Sequence, residues 1–358
     1  YASFLGALVR PAIGIVPRDS GPEIAQHPIG SGPFRFVSSR QDEEIVLDRN
    51  PDYFAAAPNI PQVRFRIVPD PMTRALELRK GSADIAINSL SSDTVFALAS
   101  DRRLDFTESP GTSLAYIAIN FEDPILAHRE VRQALAYATD RAALIRYLLR
   151  DQARPAYNLI PPNSWAYNPD VPHYDFDPAR ARQLLDAAGF PPGPDGVRFH
   201  LMLKTSTEES PRLLAAALQD QWKQVGIALE VRPLEIATLF ADITRGSFQL
   251  YTLRWIGANN DPDIFEFVFS SGKIPPNGAN RGRYRNPQLD ALLDQARSEM
   301  DPRKRRDIFF QVQKIVANDL PYLNLWFLDN ICVHRRRIEK VTLLPSGDYD
   351  FIDSIVLK

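Results

Sequence analysis

The chain has 358 residues, more than one hydrophobic core usually organises, so two domains are expected. Hydrophobic residues make up 44% and charged residues 24%, an ordinary globular balance that argues against intrinsic disorder. The formal net charge of -2 provides no general attraction to nucleic acid or to anionic lipid. A single cysteine excludes an internal disulfide framework and a cysteine-based metal site.

Signals for a cellular compartment are missing from this stretch of sequence. No run approaches the roughly 18 apolar residues that are needed to span a membrane. The chain opens at Tyr1 and not at a methionine, so we expect it to be part of a longer protein, and the lack of a signal peptide leaves the compartment open. The cysteine, Cys332, lies in an apolar stretch and is predicted to be a buried, inert thiol.

The first informative element is the glycine-rich turn at residues 30–33, which is followed by Phe34-Arg35-Phe36. It resembles a phosphate cradle only superficially, because Pro33 removes a backbone N–H where a phosphate site needs a donor. A turn that leads into a strand is therefore predicted.

Four helices are predicted from a capping residue followed by proline at the first helical position. The pairs are Asp177-Pro178, Ser210-Pro211, Asn286-Pro287 and Asp301-Pro302. Apolar residues then recur at helical spacing, as Leu214, Leu218 and Trp222 do after the second pair. Strands alternate with these helices, which predicts an α/β fold.

Two segments, residues 63–87 and 227–252, echo one another. Each has an alternating stretch, a proline, a helical pattern, a cationic residue with Gly-Ser, and a further apolar stretch. In each copy the glycine, Gly81 or Gly246, is expected to end the helix. Two explanations of this echo remain open. The first is chance similarity of two β-α-β units. The second is two related lobes that each contain an α/β sheet and face each other across a ligand cleft.

A search for catalytic or metal-binding patterns finds none. The five histidines are scattered, with no pair at metal-ligand spacing. The sequence contains no G-x-S-x-G elbow and no P-loop lysine signature. The basic run at residues 335–337 is short and is expected to be a solvated strand end. We therefore expect no enzymatic activity, no cofactor and no metal.

Residues 253–263 combine an aromatic side chain, a glycine, two amides and an arginine directly after the strand of the second echo. These groups suit stacking on, and hydrogen bonding to, an extended polar ligand. The alternative is a polar turn in which Trp255 fills the core.

Several landmarks of the chain, in order, resemble the family of large extracellular solute-binding proteins that includes oligopeptide-, dipeptide- and nickel-binding receptors. Residues 115–120 and 131–138 are the most specific match, and weaker similarities follow the same order through nearly the whole chain. They lie at residues 29–34, 49–54, 177–190, 255–265 and 284–293.

The resemblance implies a two-lobed periplasmic-binding-protein-like α/β fold that closes over its ligand by a hinge. The first lobe would comprise residues 1–117 with 328–358, and the second lobe residues 118–327. The chain would begin after the opening strands and the small extra domain of the family, which leaves the first lobe incomplete.

The same resemblance places the ligand site. The residues expected to contact ligand are Trp255, Gly257, Ala258, Asn259, Asn260, Tyr116 and Asn120, with Arg254, Lys204 and Arg281 as candidates for a ligand carboxylate. Peptide-binding members carry an aspartate, which pairs with the free amine of the ligand, where this chain has Ala258. The amine would lose its ionic partner unless Asp261 or Asp263 replaces it, so a blocked peptide, an opine or a sugar-linked compound also suits the site.

The expected function is the extracytoplasmic binding component of an ABC importer. Its partners would be an oligopeptide-like or other small-molecule ligand and the membrane permease, without nucleic acid. We expect a monomer in the periplasm or outside the cell, tethered to the membrane in its full-length form. The alternative function is the ligand-sensing domain of a transcriptional regulator related to these proteins.

Overall fold

A computed structural model describes residues 20–256 and 261–358, together with residues 4, 8, 14 and 16–18. The chain divides into two compact units. The long unit contains Thr112–Leu328, and the split unit contains the described residues up to Gly111 together with Asp329–Lys358. None of the described helices is long and apolar enough to cross a membrane.

From residue 20 onwards, the split unit has two short α-helices and several short strands. Its first part comprises β1 (Phe34–Arg40), β2 (Glu44–Arg49), β3 (Gln62–Arg66), α1 (Pro71–Lys80), β4 (Ile85–Ile87) and α2 (Ser92–Leu98). Strands β1, β2 and β3 form an antiparallel sheet in that order. The predicted turn leads into β1, and the side-chain amide of Asn50 donates a hydrogen bond to the Gly32 carbonyl at 2.9 Å.

The long unit alternates helices with strands, as predicted. Its elements are β5 (Leu104–Ile119), α3 (Arg129–Tyr137), α4 (Arg141–Leu149), β6 (Ala153–Pro155), α5 (Pro178–Ala187), β7 (Phe199–Ser206), α6 (Glu209–Lys223), β8 (Ile227–Leu234), α7 (Ile236–Arg245), β9 (Leu250–Trp255), α8 (Ile264–Phe269), α9 (Pro287–Ser298), α10 (Pro302–Asp319) and β10 (Tyr322–Arg335). Strands β5 and β10 each continue from one unit into the other. The last strands, in the split unit, are β11 (Ile338–Glu339) and β12 (Val356–Leu357).

A mixed sheet forms the centre of the long unit. Its strands follow the order β10-β5-β9-β7-β8, with β6 paired to β10. β7 is parallel to both β8 and β9, whereas β5 is antiparallel to β9. Alternate residues of β5 enter opposite cores: Ile117 and Ile119 pack on one face, and Tyr116 and Ala118 pack on the other. The sheet is therefore covered by apolar side chains on both faces.

Three of the four predicted helix starts are confirmed, and one is wrong. The side chains of Asp177, Asn286 and Asp301 accept backbone hydrogen bonds as N-caps. α6 instead begins at Glu209, after an extended Glu208, so Ser210 lies inside its first turn. Proline is tolerated there, because the first N–H groups of a helix have no helical partner to lose.

The two echoed segments share local structure but not sheet topology. Gly81 and Gly246 both end their helices in the left-handed conformation, at φ 87° and 81°. In the second copy, β8 and β9 both pair with β7 in one sheet. In the first copy, β3 belongs to the three-stranded sheet, whereas β4 pairs with β10. The expectation of two equivalent β-α-β units is therefore wrong for the first copy, because its two strands find different partners.

Candidate functional site

Trp255 is the last residue of β9 and lies opposite Leu114 of β5. Its ring stacks on Tyr116, with centroids 6.2 Å apart and planes 15° apart, and meets Phe267 edge-on at 6.4 Å. The indole is half-buried at the margin of one core of the long unit. Its Nε1 is buried and finds no hydrogen-bond acceptor among the described residues. The ring is thus held by packing.

Tyr116 lies behind this indole and is only 1% exposed. Its other face stacks on Tyr322 at the start of β10, with centroids 4.2 Å apart. Tyr251 of β9 meets it edge-on at 6.1 Å. Three tyrosines and Trp255 therefore form one aromatic cluster, which joins the ends of three neighbouring strands.

The hydroxyl groups of this aromatic cluster remain neutral. Burial raises the pKa of Tyr116 and of Tyr322 well above the ordinary value. Burial also raises the pKa of Tyr251, although the nearby Arg281 guanidinium acts to lower it. Neutral phenols retain their O–H donors at every physiological pH.

Arg281 lies beside these phenols and is half-buried. Its guanidinium carbon lies 5.6 Å from the centroid of the Phe240 ring on α7. Burial acts to lower the pKa of Arg281, whereas interactions with Tyr251, Tyr116 and Tyr322 act to raise it. The net result is a pKa above the ordinary value. Among the described residues, no carboxylate forms an ion pair with this guanidinium.

Asn120 and Lys204 are engaged within the chain. The Asn120 amide donates hydrogen bonds to the carbonyls of Phe248, at 2.7 Å, and Gly246, at 3.3 Å. The Lys204 ammonium bonds to Asp242 Oδ2 at 2.7 Å and to the Ser247 carbonyl. Both side chains therefore tie the carboxyl ends of strands to the segment that links α7 and β9.

Arg254 precedes Trp255 on β9, and its side chain is exposed. The other predicted contact residues in this segment, Gly257, Ala258, Asn259 and Asn260, lie outside the described residues. Their roles remain predictions.

Asp263, an expected alternative partner for a ligand amine, already has a cationic partner in the chain. Arg305 of α10 forms an ion pair with its carboxylate, and the two side chains are 8% and 19% exposed. Trp165 and Phe309 flank the guanidinium at 5.5 and 5.2 Å from their ring centroids. The carboxylate of Asp261 accepts a hydrogen bond from the backbone N–H of Asp263 at 2.9 Å.

Sequence reasoning did not identify Tyr251, Tyr322 or Phe240 as neighbours of the site. Tyr251 could have been identified from the sequence. It precedes Trp255 by four residues on the same strand, and side chains at even spacing on a strand share one face. Tyr322 begins a strand that is distant in sequence, and only long-range pairing brings it to Tyr116.

Other features of the described chain point to no metal or reactive thiol. No group of three or more His, Cys, Asp or Glu side chains in that part of the chain has the arrangement of a metal site. Burial raises the pKa of the Cys332 thiol to about 12, as expected for an inert thiol. A shallow surface depression of about 810 Å³ is lined by residues that include Val171, His173 and Lys314, and by none of the predicted site residues.

The model of a known family, described as bacterial extracellular solute-binding proteins, family 5 Middle, matches residues 1–275. Probable di/tripeptide-binding protein 5 of Pseudomonas aeruginosa is 31% identical over 90% of this chain and 61% of its own length. Heme-binding protein A of Haemophilus influenzae is 30% identical over 83% of this chain and 54% of its own length. The chain thus spans between half and two thirds of the length of these relatives.

A solved structure has a similar fold. The oligopeptide-binding protein AppA from Bacillus subtilis, in complex with a nonapeptide, superposes with a TM-score of 0.75 at 26% sequence identity. The match covers 92% of this chain and 67% of that protein. The similarity extends through both compact units, since it covers nearly the whole chain.

Proposed function

Because the chain belongs to the bacterial extracellular solute-binding proteins of family 5, we propose that it is the ligand-binding part of a receptor for an ABC importer. The observation that carries the proposal is the match along 90% of the chain to a relative named for binding di- and tripeptides. The nonapeptide complex of a protein with a similar fold supports the same ligand class. Heme, named for another relative, is the second candidate ligand.

We assign the proposed lobes as residues 1–117 with 328–358, and residues 118–327. The change between compact units at residues 111–112 and 328–329 supports this division. Both changes fall within long strands, β5 and β10, and paired strands that pass between two units are suited to act as a hinge.

The ligand would lie at the end of β9. Trp255 offers a ring, Gly257 and Ala258 offer backbone groups, and Asn259 and Asn260 offer amides. Arg254 and Arg281 supply positive charge. Tyr116 supports Trp255 from behind, while Asn120 and Lys204 hold the neighbouring backbone in place.

The receptor would act outside the cytoplasm, tethered to the membrane in its full-length form, and would deliver ligand to a membrane permease as a monomer. Binding without turnover requires neither a cofactor nor nucleic acid. The relatives described above are named as binding proteins, which favours import over transcriptional regulation.

A thermal-shift panel tests this proposal. Di- and tripeptides, their N-acetylated counterparts, opines and heme are each added to the protein. A ligand at about 100 times its dissociation constant adds close to 2.7 kcal/mol of stability, which raises the melting temperature. Stabilisation by peptides supports the proposal. Comparing each peptide with its N-acetylated counterpart shows whether binding requires a free amine, although Ala258 replaces the aspartate of peptide-binding members. A cooperative melt that no compound shifts would contradict it.

A further inference from the structure

Seven basic residues gather on one part of the split unit, although the chain as a whole has a net charge of -2. They come from the end of α1, from the segment before β5 and from the end of β10 with the turn that follows it, and all but one are exposed. These residues, which we call the basic patch, are Arg79, Lys80, Arg102, Arg103, Arg335, Arg336 and Arg337. The run at residues 335–337, expected to be a solvated strand end, is therefore one part of a larger charged surface.

Direct contacts bring the three segments of the basic patch together. The backbone N–H of Arg336 donates a hydrogen bond to the Arg103 carbonyl at 3.1 Å. Arg335 Nη1 donates to the Leu78 carbonyl near the end of α1, at 3.4 Å. A Cβ atom at Gly81 would lie only 2.9 Å from this Nη1, so glycine makes room for the close approach. The fold thus fixes the cations next to one another.

Carboxylates balance part of this charge. Asp101 pairs with Arg103 at 2.7 Å, and Asp84 pairs with Arg337 at 2.8 Å. A third carboxylate, Asp105, follows on β5. The members of the patch that form no ion pair with a described residue are Lys80, Arg102, Arg335 and Arg336. Unpaired like charges repel one another, so a patch of this kind favours a partner with many negative charges.

Two exposed leucines flank the basic patch. Leu76 is 56% exposed and lies one turn before Lys80 on α1, so the two side chains share a face of the helix. Leu357 is 49% exposed and pairs with Ile338, the residue after Arg337. Aliphatic side chains next to cations suit the headgroup boundary of a lipid bilayer, whereas nucleic-acid bases are usually held by aromatic rings.

We propose that the basic patch, together with Leu76 and Leu357, docks the split unit on the surface of an anionic phospholipid bilayer. Six of the seven cations are arginines, whose planar guanidinium groups bind phosphate oxygens through paired hydrogen bonds. The cations contact the lipid phosphates, and the leucines reach the boundary with the acyl chains. The inference goes beyond the proposed function, because it concerns the split unit and involves no transported ligand.

Co-sedimentation with lipid vesicles tests this inference. The protein is mixed with vesicles of phosphatidylcholine alone, or with vesicles in which about a third of the lipid is phosphatidylglycerol. We expect binding to the anionic vesicles alone at about 0.1 M salt, and loss of this binding at about 0.5 M salt, because added ions screen the patch. Equal binding to the two kinds of vesicle, or no binding to the anionic ones, would overturn the inference.

Two triple variants that remove matching charges locate the binding surface. The patch variant combines Lys80→Gln, Arg102→Gln and Arg336→Gln. The control variant removes one lysine and two arginines from exposed positions of α10 in the long unit, through Arg303→Gln, Lys304→Gln and Arg306→Gln. Each cation near an anionic bilayer raises affinity about fivefold, so the patch variant is expected to bind roughly 100-fold more weakly. The control variant is expected to bind as the unmodified protein does, and equal losses in the two would contradict the location of the site.

The leucines and a competing polyanion distinguish a bilayer from other partners. Leu76→Ser combined with Leu357→Ser is expected to weaken vesicle binding severalfold without changing its dependence on salt, since no charge is lost. Unchanged affinity of this variant would overturn the inference, and so would a DNA duplex that competes with the vesicles equally well at the same phosphate concentration. Melting temperatures confirm that each variant is folded. No peptide is present, so none of these outcomes bears on the proposed function.

Discussion

The ammonium of Lys204 lies 2.7 Å from the Asp242 carboxylate and links the end of β7 to α7. The same ammonium donates a hydrogen bond to the Ser247 carbonyl. Arg245 reaches the other carboxylate oxygen of Asp242 at 2.7 Å. This small network fixes the turn at Gly246 that leads into β9.

This network is expected to make the stability of the folded protein depend on pH. Hydrogen bonding by Lys204 is the main cause that lowers the pKa of Asp242 below its ordinary value of 3.8. A lowered pKa in the folded state adds stability above the unfolded pKa, and this stability is lost as the pH falls through the folded value. We expect the difference in melting temperature between the unmodified protein and Asp242→Asn to shrink as the pH is lowered from 6 towards 3. A constant difference over this range would contradict the role of ionised Asp242.

The Asp263–Arg305 pair is expected to stabilise the segment after Trp255. Asp263→Asn leaves a buried guanidinium without its counter-charge, which typically costs about 3–5 kcal/mol. Urea unfolding measures this loss. Arg306→Met, which removes a mostly exposed neighbour on the same helix, serves as the control and is expected to change stability by less than about 1 kcal/mol. A loss below 1 kcal/mol for Asp263→Asn would show that the pair is not formed.

Two tyrosines provide a matched comparison of hydroxyl groups. The Tyr284 hydroxyl donates to the Asp319 carboxylate at 2.6 Å, so Tyr284→Phe is expected to cost about 1.5–3 kcal/mol. The Tyr251 hydroxyl has no acceptor among the described residues, so Tyr251→Phe without ligand is expected to be neutral or stabilising by up to about 1 kcal/mol. Equal losses in the two variants would reveal a structural hydrogen-bond partner for the Tyr251 hydroxyl.

Cys332 is expected to be unreactive in the folded protein. The thiol is 0% exposed, and burial raises its pKa to about 12, so almost no thiolate forms at pH 8. It is the one cysteine of the sequence, so a thiol reagent reports on it alone. We expect labelling only after denaturation, and rapid labelling of the native protein would contradict its placement.

Local features of the fold were predictable because their causes are local. Asp177 followed by proline predicts a capped helix, and Gly246 predicts a left-handed helix end, since both depend on a few neighbouring residues. The sheet partners of β3 and β4 were not predictable, because they depend on pairing with strands elsewhere in the chain.

The same distinction applies to the site. Trp255 and Arg281 could be selected for their chemistry. Strand alternation places Tyr251 on the same face of β9 as Trp255, whereas Tyr322 reaches this cluster only after β9 and β10 have each taken their place around β5. The ion pair between Lys204 and Asp242 could not be predicted from the sequence either, because 38 residues separate the two.

The most direct test of the account is a calorimetric titration of the protein with a free-acid tripeptide that ends in leucine, repeated with Trp255→Ala. We predict saturable binding of one peptide per chain, weakened at least tenfold when the indole is removed. Heats that do not rise above dilution, in a protein that still melts cooperatively, would contradict the assignment of this chain as a peptide-binding receptor.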